Sequence, residues 1–293
     1  MFEYLAFLEA EFPLLVYTVV LVLGLIVGSF LNVVILRLPV MMQRDWEVQA
    51  REILGIDQPV EADAAPFNLV TPNSRCPSCS RPIRPWENVP VVSYLVLGGQ
   101  CAGCSAPISI RYPLIEALTG ALSVMVVVIF GATPAGAACL VLTWGLISMS
   151  IIDIDHQLLP DGITLPLLWL GLIVNYFELI TPFAAAFWGA VAGYLILWSV
   201  YQVFRLVTGK EGMGFGDFKL LAMLGAWLGW QALPLVIILS SFTGAVIGGL
   251  LVVFGRDRAE PIPFGPYLAI AGFIALLWGD EITSQYLRFT SFQ

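Results

Sequence analysis

The chain has 293 residues, of which 59% are hydrophobic and only 12% are charged, and its mean hydropathy is +0.88. Soluble domains average roughly 45–50% apolar and about 25% charged residues, so this composition excludes an ordinary soluble globular protein. The net charge of −8, with 13 basic against 21 acidic residues, also argues against a nucleic-acid partner, which needs a basic surface. The remaining class is an all-α, polytopic membrane protein.

Eight apolar runs are long enough to serve as membrane helices, since a bilayer core about 30 Å thick takes roughly 20 apolar residues. They cover residues 14–36, 113–131, 136–152, 162–180, 183–204, 218–232, 234–254 and 264–279. The sixth and seventh runs are separated only by Gln231 to Pro234. No Lys or Arg precedes the first run, so a cleaved secretory signal is not indicated and the first helix is expected to be retained.

The basic residues predict the orientation of these helices, because cytoplasmic loops are enriched in Lys and Arg. When the eight helices alternate in direction, 12 of the 13 basic residues fall on one side, including Arg256 and Arg258, and Arg288 falls on the other. We therefore expect periplasmic termini and a cytoplasmic segment at 37–112, in which residues 45–56 predict a short amphipathic helix. The expected domains are an N-terminal helix at 1–36, this cytoplasmic domain at 37–112 and a seven-helix membrane domain at 113–293.

The cytoplasmic segment contains the pattern C-x-x-C-S-x-P-I twice, with a spacing of 25 residues. Each C-x-x-C turn directs two thiolates at one centre, and two such turns supply the four soft ligands that tetrahedral zinc prefers. Two disulfides or a redox pair are the alternatives, but a cytoplasmic location and a duplicated motif favour a structural metal. We predict a closed zinc site formed by Cys76, Cys79, Cys101 and Cys104. Cys139, within the third apolar run, is predicted to be a small buried side chain.

Two acidic motifs lie at the cytoplasmic ends of predicted helices. The third helix ends in I-I-D-I-D-H, which contains Asp153 and Asp155, and a G-x-G-D motif ending at Asp217 precedes the sixth. Ionisable groups at such positions are costly and typical of functional sites. Two carboxylates brought together share a proton, so that one can activate water while the protonated partner polarises a carbonyl. Asp153 and Asp217 are our candidates for this pair, and Gly214 and Gly216 would allow close approach of a substrate.

Other interpretations of these motifs are weaker. Asp161 has the position of an N-cap for the fourth helix. His156 is the only histidine, no G-x-S-x-G accompanies it, and we expect it at the surface. No H-E-x-x-H motif occurs, which excludes that type of metalloprotease. The alternative from another class is a proton-coupled membrane transporter that uses Asp153 and Asp217 as a proton relay.

Taken together, these motifs resemble the type IV prepilin peptidases, bifunctional leader peptidases and N-methyltransferases of Gram-negative bacteria. The resemblance covers nearly the whole chain. It rests, in chain order, on Gly28 to Pro39, Phe67-Asn-Leu, the paired C-x-x-C motifs, Glu87-Asn-Val-Pro90, Asp153 to Asp161, Gly214 to Asp217 and Pro263 to Pro266.

The resemblance implies a G-x-G-D-type aspartic peptidase of the bacterial inner membrane, with Asp153 and Asp217 at the catalytic positions. The residues expected to support the active site are Gly214, Gly216, Asp155 and Asp161. Such enzymes remove the leaders of type IV prepilins and type II secretion pseudopilins at the cytoplasmic face. They then methylate the new N-terminus with S-adenosylmethionine. A membrane protease that cuts within transmembrane substrates is a second alternative, which the paired C-x-x-C segment disfavours.

No Rossmann glycine motif follows a predicted strand, so S-adenosylmethionine is expected to bind in another way. The cytoplasmic segment is the natural place for the methyl-donor site. The candidates there are Glu87, Asn88, Gly98 and Gly99. Packing and turns around the zinc site are an equally good explanation of these four residues.

Overall fold

The structure is a computed structural model that describes residues 2–56, 66–254 and 262–291. Within these ranges the chain is helical, and its extended pairing is limited to two isolated bridges, which confirms the all-α class. Arg256 and Arg258, which contributed to the predicted orientation, and residues 57–65 lie outside the described residues. The chain divides into two compact units, Glu3–Gly131 and Ala132–Gln293.

The α-helices of the described ranges follow one another in the order predicted for the apolar runs. The N-terminal unit contains α1 (Phe2–Glu11), α2 (Pro13–Leu54), α3 (Val92–Val96) and α4 (Arg111–Phe130). The C-terminal unit contains α5 (Pro134–His156), α6 (Asp161–Tyr176), α7 (Phe183–Thr208), α8 (Phe215–Leu228), α9 (Leu233–Val253) and α10 (Gly265–Ser291). Short 3₁₀ turns lie at Pro85–Asn88 and Trp230–Ala232.

Six helices of the described residues are long and apolar enough to cross a membrane, by length and composition: α2, α4, α5, α7, α9 and α10. The other two predicted membrane helices are α6 and α8, with 16 and 14 residues. At 1.5 Å per residue they are about 24 and about 21 Å long, which is less than a bilayer core of about 30 Å. All eight predicted helices are therefore present, and six of them reach membrane-crossing length.

Helix α2 differs from its prediction, because it continues far beyond the apolar run. Its 42 residues correspond to a length of about 63 Å, roughly twice the bilayer core. The prediction of a separate amphipathic helix at 45–56 is wrong, since residues up to Leu54 continue α2. Pro39, which could have ended the helix, lies inside it. Proline is tolerated in membrane helices where neighbouring groups satisfy the freed carbonyl.

The N-terminal unit is organised by the close approach of α2 and α4. Gly24 and Gly28 form a G-x-x-x-G spacing on α2, and such small residues let membrane helices pack backbone to backbone. A Cβ at Gly24 would lie 2.8 Å from the Cα of Gly120, and one at Gly28 would lie 2.7 Å from the Cα of Glu116. Thus α4, which the predicted division placed in the 113–293 domain, packs on α2 within the first unit.

The C-terminal unit surrounds α8, which is buried along most of its length from Asp217 to Trp227. Helix α7 packs against it, and a Cβ at Gly193 of α7 would lie 2.6 Å from the carbonyl oxygen of Leu221. The far end of α8 is held by hydrogen bonds: Asn175 Nδ2 donates to the carbonyl of Ala226 at 2.8 Å, and Trp227 Nε1 donates to that of Leu167 at 2.8 Å. The helix that carries Asp217 is therefore held rigidly by its neighbours.

Candidate active site and cysteine metal centre

Asp153 lies in the last turn of α5 and is 5% exposed. Its Oδ2 accepts a hydrogen bond of 3.0 Å from the backbone N–H of Gly265, the first residue of α10. The N-terminus of a helix presents unpaired N–H groups and a partial positive charge, so it stabilises a carboxylate there. The start of α10 therefore orients Asp153.

Asp217 lies in the first turn of α8 and is 7% exposed. Gly214 is the N-cap residue of this helix, and its carbonyl accepts the Asp217 N–H at 3.2 Å. The two glycines of the motif differ in their surroundings. A Cβ at Gly214 would meet only Asp217 Oδ2, at 3.7 Å, whereas one at Gly216 would lie 2.8 Å from the Cβ of Leu159. Gly216 is therefore required for packing, and Gly214 leaves open space.

The two carboxylates, 64 residues apart in the sequence, lie in one cluster and interact electrostatically. Leu159 joins them, because its side chain contacts both Gly216, next to Asp217, and Gly265, which binds Asp153. A Cβ at Gly265 would lie 2.6 Å from Asp153 Oδ2, so this close contact requires glycine. The sequence prediction of the site missed Gly265. The available indication was the Pro263 to Pro266 motif, which contributed to the family resemblance but was not assigned to the site.

The remaining polar residues of the I-I-D-I-D-H motif and its extension lie around this cluster. Asp155 and His156 are exposed at the end of α5, as expected for His156. The prediction that Asp161 is an N-cap is wrong: Pro160 is the N-cap residue, and Asp161 begins α6. Both carboxylate oxygens of Asp161 instead accept hydrogen bonds from Lys219 Nζ, at 2.8 and 2.7 Å. This ion pair links the start of α6 to the first turns of α8.

The two C-x-x-C motifs of the N-terminal unit have the same backbone conformation. In the first, Cys76 N–H donates to the carbonyl of Arg81 and Ser80 N–H donates to that of Cys76. In the second, Cys101 N–H donates to the carbonyl of Ala106 and Ser105 N–H donates to the carbonyl of Cys101. Ser80 and Ser105 have φ values of 57° and 58°, and each motif is closed by an isolated bridge. The sequence repeat is therefore also a structural repeat.

The two repeats bring four sulfur atoms together, all within 4.8 Å of one another: those of Cys76, Cys79, Cys101 and Cys104. Sulfurs at about 2.3 Å from a tetrahedral zinc would be separated by about 3.8 Å. The Cys76 and Cys104 sulfurs are 3.9 Å apart. The N–H groups of Gly103 and Cys104 lower the pKa of the Cys101 thiol to about 6, whereas the neighbouring thiols and burial raise that of Cys104 to about 11. Cys101 is therefore the thiol of this pair that most readily gives the thiolate form that metals bind. This cluster can hold a metal ion. Cys139, by contrast, is buried in α5, as predicted.

An ion pair connects the two repeats to the 3₁₀ turn between them. Arg81 contacts Gly103 of the second repeat, and its Nη2 lies 2.6 Å from Glu87 Oε1. The other oxygen of Glu87 accepts the N–H of Arg84 at 3.0 Å, and these bonds hold the pKa of Glu87 below its usual value. Gly98 and Gly99 form a turn with positive φ values of 59° and 71°. Asn88 Nδ2 donates a hydrogen bond to the Ser29 hydroxyl at 3.4 Å, so all four methyl-donor candidates have structural contacts of their own.

The fold and these two clusters define a multi-pass helical membrane protein with a buried aspartate pair and a four-cysteine cluster that can hold a metal ion. Two family models match the sequence: the Bacterial Peptidase A24 N-terminal domain at residues 22–130 and the Type IV leader peptidase family at residues 140–249. No solved structure matches the chain significantly.

Curated relatives match over nearly the full length. A prepilin leader peptidase/N-methyltransferase of Stutzerimonas stutzeri is 61% identical and covers 96% of each chain. That of Pseudomonas aeruginosa is 59% identical over 97% of this chain and 98% of its own. That of Burkholderia pseudomallei is 48% identical over 88% of this chain and 84% of its own. The chain therefore belongs to the type IV leader peptidase family.

Proposed function

We propose that this protein is a membrane aspartic endopeptidase that removes the leader of type IV prepilins and type II secretion pseudopilins and then N-methylates the new N-terminus. The observation that carries the peptidase activity is the cluster of Asp153, Asp217 and the start of α10. The names of the full-length relatives support both activities. They give no support to the alternative of a proton-coupled transporter.

In the proposed peptidase reaction, the two aspartates share one proton. The ionised carboxylate takes a proton from a water molecule as it attacks the scissile carbonyl, while the protonated partner donates a hydrogen bond to the carbonyl oxygen. The tetrahedral intermediate then collapses: the scissile C–N bond breaks, and the leaving amine takes the proton that the aspartate accepted from water. No covalent enzyme–substrate intermediate forms. The open space at Gly214 leaves room for an extended substrate backbone beside Asp217. The Asp161–Lys219 ion pair would hold the start of α8 in position, and exposed Asp155 would attract a basic leader, weakly because of salt screening.

We assign zinc to the four-cysteine cluster as a structural ion. Four protein ligands leave no position for water, so the ion would organise the segment between α2 and α4 rather than perform chemistry. The predicted orientation then places this segment and the aspartate pair at the cytoplasmic face, with both termini in the periplasm. Prepilin leaders are expected at that same face.

The test of both activities is a mass measurement. The purified protein is incubated with a prepilin peptide that includes the first hydrophobic residues, with and without S-adenosylmethionine. We expect the leader to be removed in both samples, and the mature product to gain about 14 Da, one methyl group, only with the methyl donor. An uncleaved peptide would contradict the peptidase proposal, and a cleaved but unmethylated product would contradict the second activity.

A Gly265→Ala substitution should slow cleavage by about 10²-fold, because the added Cβ would lie 2.6 Å from Asp153 Oδ2 and would displace that carboxylate. The measurement is the initial rate of leader removal in detergent micelles. Gly279→Ala is a matched control on the same helix, since its Cβ would meet no atom closer than 3.8 Å. Equal rates for the two variants would show that the Asp153–Gly265 contact does not position the carboxylate.

A further inference from the structure

The N-terminal unit contains an open cavity of about 450 Å³, lined by residues of α2, α4 and the cysteine segment between them. Small-molecule sites commonly have volumes of about 300 to 1,000 Å³, so this cavity has the size of a site for a nucleoside-like ligand. Glu87 and Asn88 line it, whereas Gly98 and Gly99 do not belong to its wall.

Glu116 of α4 is a buried carboxyl group in the wall of this cavity, with 8% exposure. Its Oε2 accepts the Val91 N–H at 2.7 Å, and the Ser29 hydroxyl lies within hydrogen-bonding reach. In the part of the chain that the structure describes, no basic side chain forms an ion pair with it. A buried carboxylate without a cation is costly. The wall of the cavity therefore provides a place for a positively charged group.

Three arginines, Arg37, Arg75 and Arg81, line the same wall, and two of them are engaged elsewhere. Arg81 is paired with Glu87, and Arg37 donates to the carbonyl oxygens of Asn68 and Pro72 at 2.9 and 2.6 Å. These contacts hold the two guanidinium groups, so neither of them is available to neutralise Glu116. Arg75, the third arginine of the wall, forms no ion pair with Glu116 in the described part of the chain, so a cationic group of a ligand would supply the counter-charge.

Two aromatic side chains, Tyr94 and Tyr112, also line the cavity. Tyr94 is fixed against Gly99, because a Cβ there would lie 3.0 Å from the tyrosine ring. Aromatic rings stack on flat heterocycles and attract cations through their faces. An anion and two aromatic rings around one cavity fit a ligand that has both a cationic centre and a purine ring.

We propose that this cavity is the methyl-donor site, where Glu116 faces the sulfonium of S-adenosylmethionine and a tyrosine ring stacks on its adenine. This inference rests on the methyltransferase activity proposed above and assigns it a location. S-adenosylhomocysteine has the same adenosine and amino-acid groups but an uncharged thioether. Glu116 therefore discriminates in favour of the methylated, cationic donor over the demethylated product.

The test measures the affinity of the purified, full-length protein for S-adenosylmethionine and for S-adenosylhomocysteine by titration calorimetry. Glu116→Gln keeps an acceptor for the Val91 N–H but removes the charge. We expect it to weaken S-adenosylmethionine binding by at least about tenfold and S-adenosylhomocysteine binding by less than about threefold. Glu47→Gln, an exposed residue of α2 outside the cavity wall, is the matched control and should leave both affinities unchanged.

A second variant tests the location without changing the charge. Ser29→Leu adds apolar volume to the wall beside Glu116 and should weaken both ligands. Unchanged S-adenosylmethionine binding by Glu116→Gln or by Ser29→Leu would overturn the site. An equal loss of affinity for both ligands in Glu116→Gln would also overturn the site, because a purely structural role of Glu116 would affect the two ligands alike. If the wild-type protein binds neither ligand, the proposed methyltransferase activity fails as well, whereas leader cleavage by the same preparation tests the peptidase independently.

Discussion

Replacing either Asp153 or Asp217 with Asn should lower the rate of leader cleavage by about 10²- to 10⁴-fold or more. Asparagine keeps the size of the side chain but can neither accept the proton of the attacking water nor share a proton with its partner. The measurement is the rate of leader removal from a prepilin peptide by purified variants. Methylation of a peptide that already begins at the mature residue should continue in both variants, because that reaction does not use the pair.

The double variant provides a stricter test of a catalytic pair. Residues that act as one unit are strongly non-additive, so Asp153→Asn combined with Asp217→Asn should be no slower than either single variant. Asp280→Asn, an exposed acid on α10, is the control and should cleave at the wild-type rate. Substantial cleavage by either single variant would rule out a dyad of these two residues.

Replacing Cys104 with Ser should remove the bound metal and destabilise the segment that contains both C-x-x-C motifs. Binding of structural zinc by four ligands is worth roughly 10–16 kcal/mol, and this energy stabilises the fold of the segment. We expect about one equivalent of zinc in the purified wild-type protein and none in the variant, together with faster proteolysis within residues 74–110. Because Cys76 and Cys101 line the proposed methyl-donor cavity, S-adenosylmethionine binding should be lost as well.

Cys139→Ala is the matched control for this experiment, since Cys139 is buried in α5 and lies outside the cysteine cluster. It should retain one equivalent of zinc and normal resistance to protease. A stoichiometric metal content in Cys104→Ser would refute the four-cysteine site. Zinc absent from both the wild-type protein and the variant would refute zinc as the resident ion.

The features that were predicted well from the sequence depend on residues that are close to one another in the chain. Apolar runs predicted eight helices in the right order because a membrane helix must be apolar along its own length. The repeated C-x-x-C-S-x-P-I pattern predicted two similar turns, since hydrogen bonds within about six residues determine each turn. Hydropathy was a poorer guide to where helices end. Helix α2 continues to Leu54 and α10 to Ser291, because polar residues can extend a helix beyond the membrane.

Asp161 shows how a local pattern can mislead. Its position after a proline and before an apolar run is typical of an N-cap, yet its carboxylate binds Lys219, which is 58 residues away. The predicted division of the chain at residue 113 stays a prediction, and the packing of α4 on α2 is a separate observation. The packing of Gly24 and Gly28 against α4 depends on the partner helix, which a pattern on α2 alone does not identify.

By itself, the sequence determined the membrane class, the order of the helices, the cysteine repeat and the two acidic motifs, because composition and short-range spacing encode each of them. Only the tertiary structure decided which distant groups meet: Asp153 with Gly265, Leu159 with Gly216, and Glu116 with the cavity beside α2. The physical reason is that such contacts arise from the packing of whole helices. Where two helices pack closely at glycines, as α2 and α4 do at Gly24 and Gly28, the packing determines which side chains from distant parts of the chain meet.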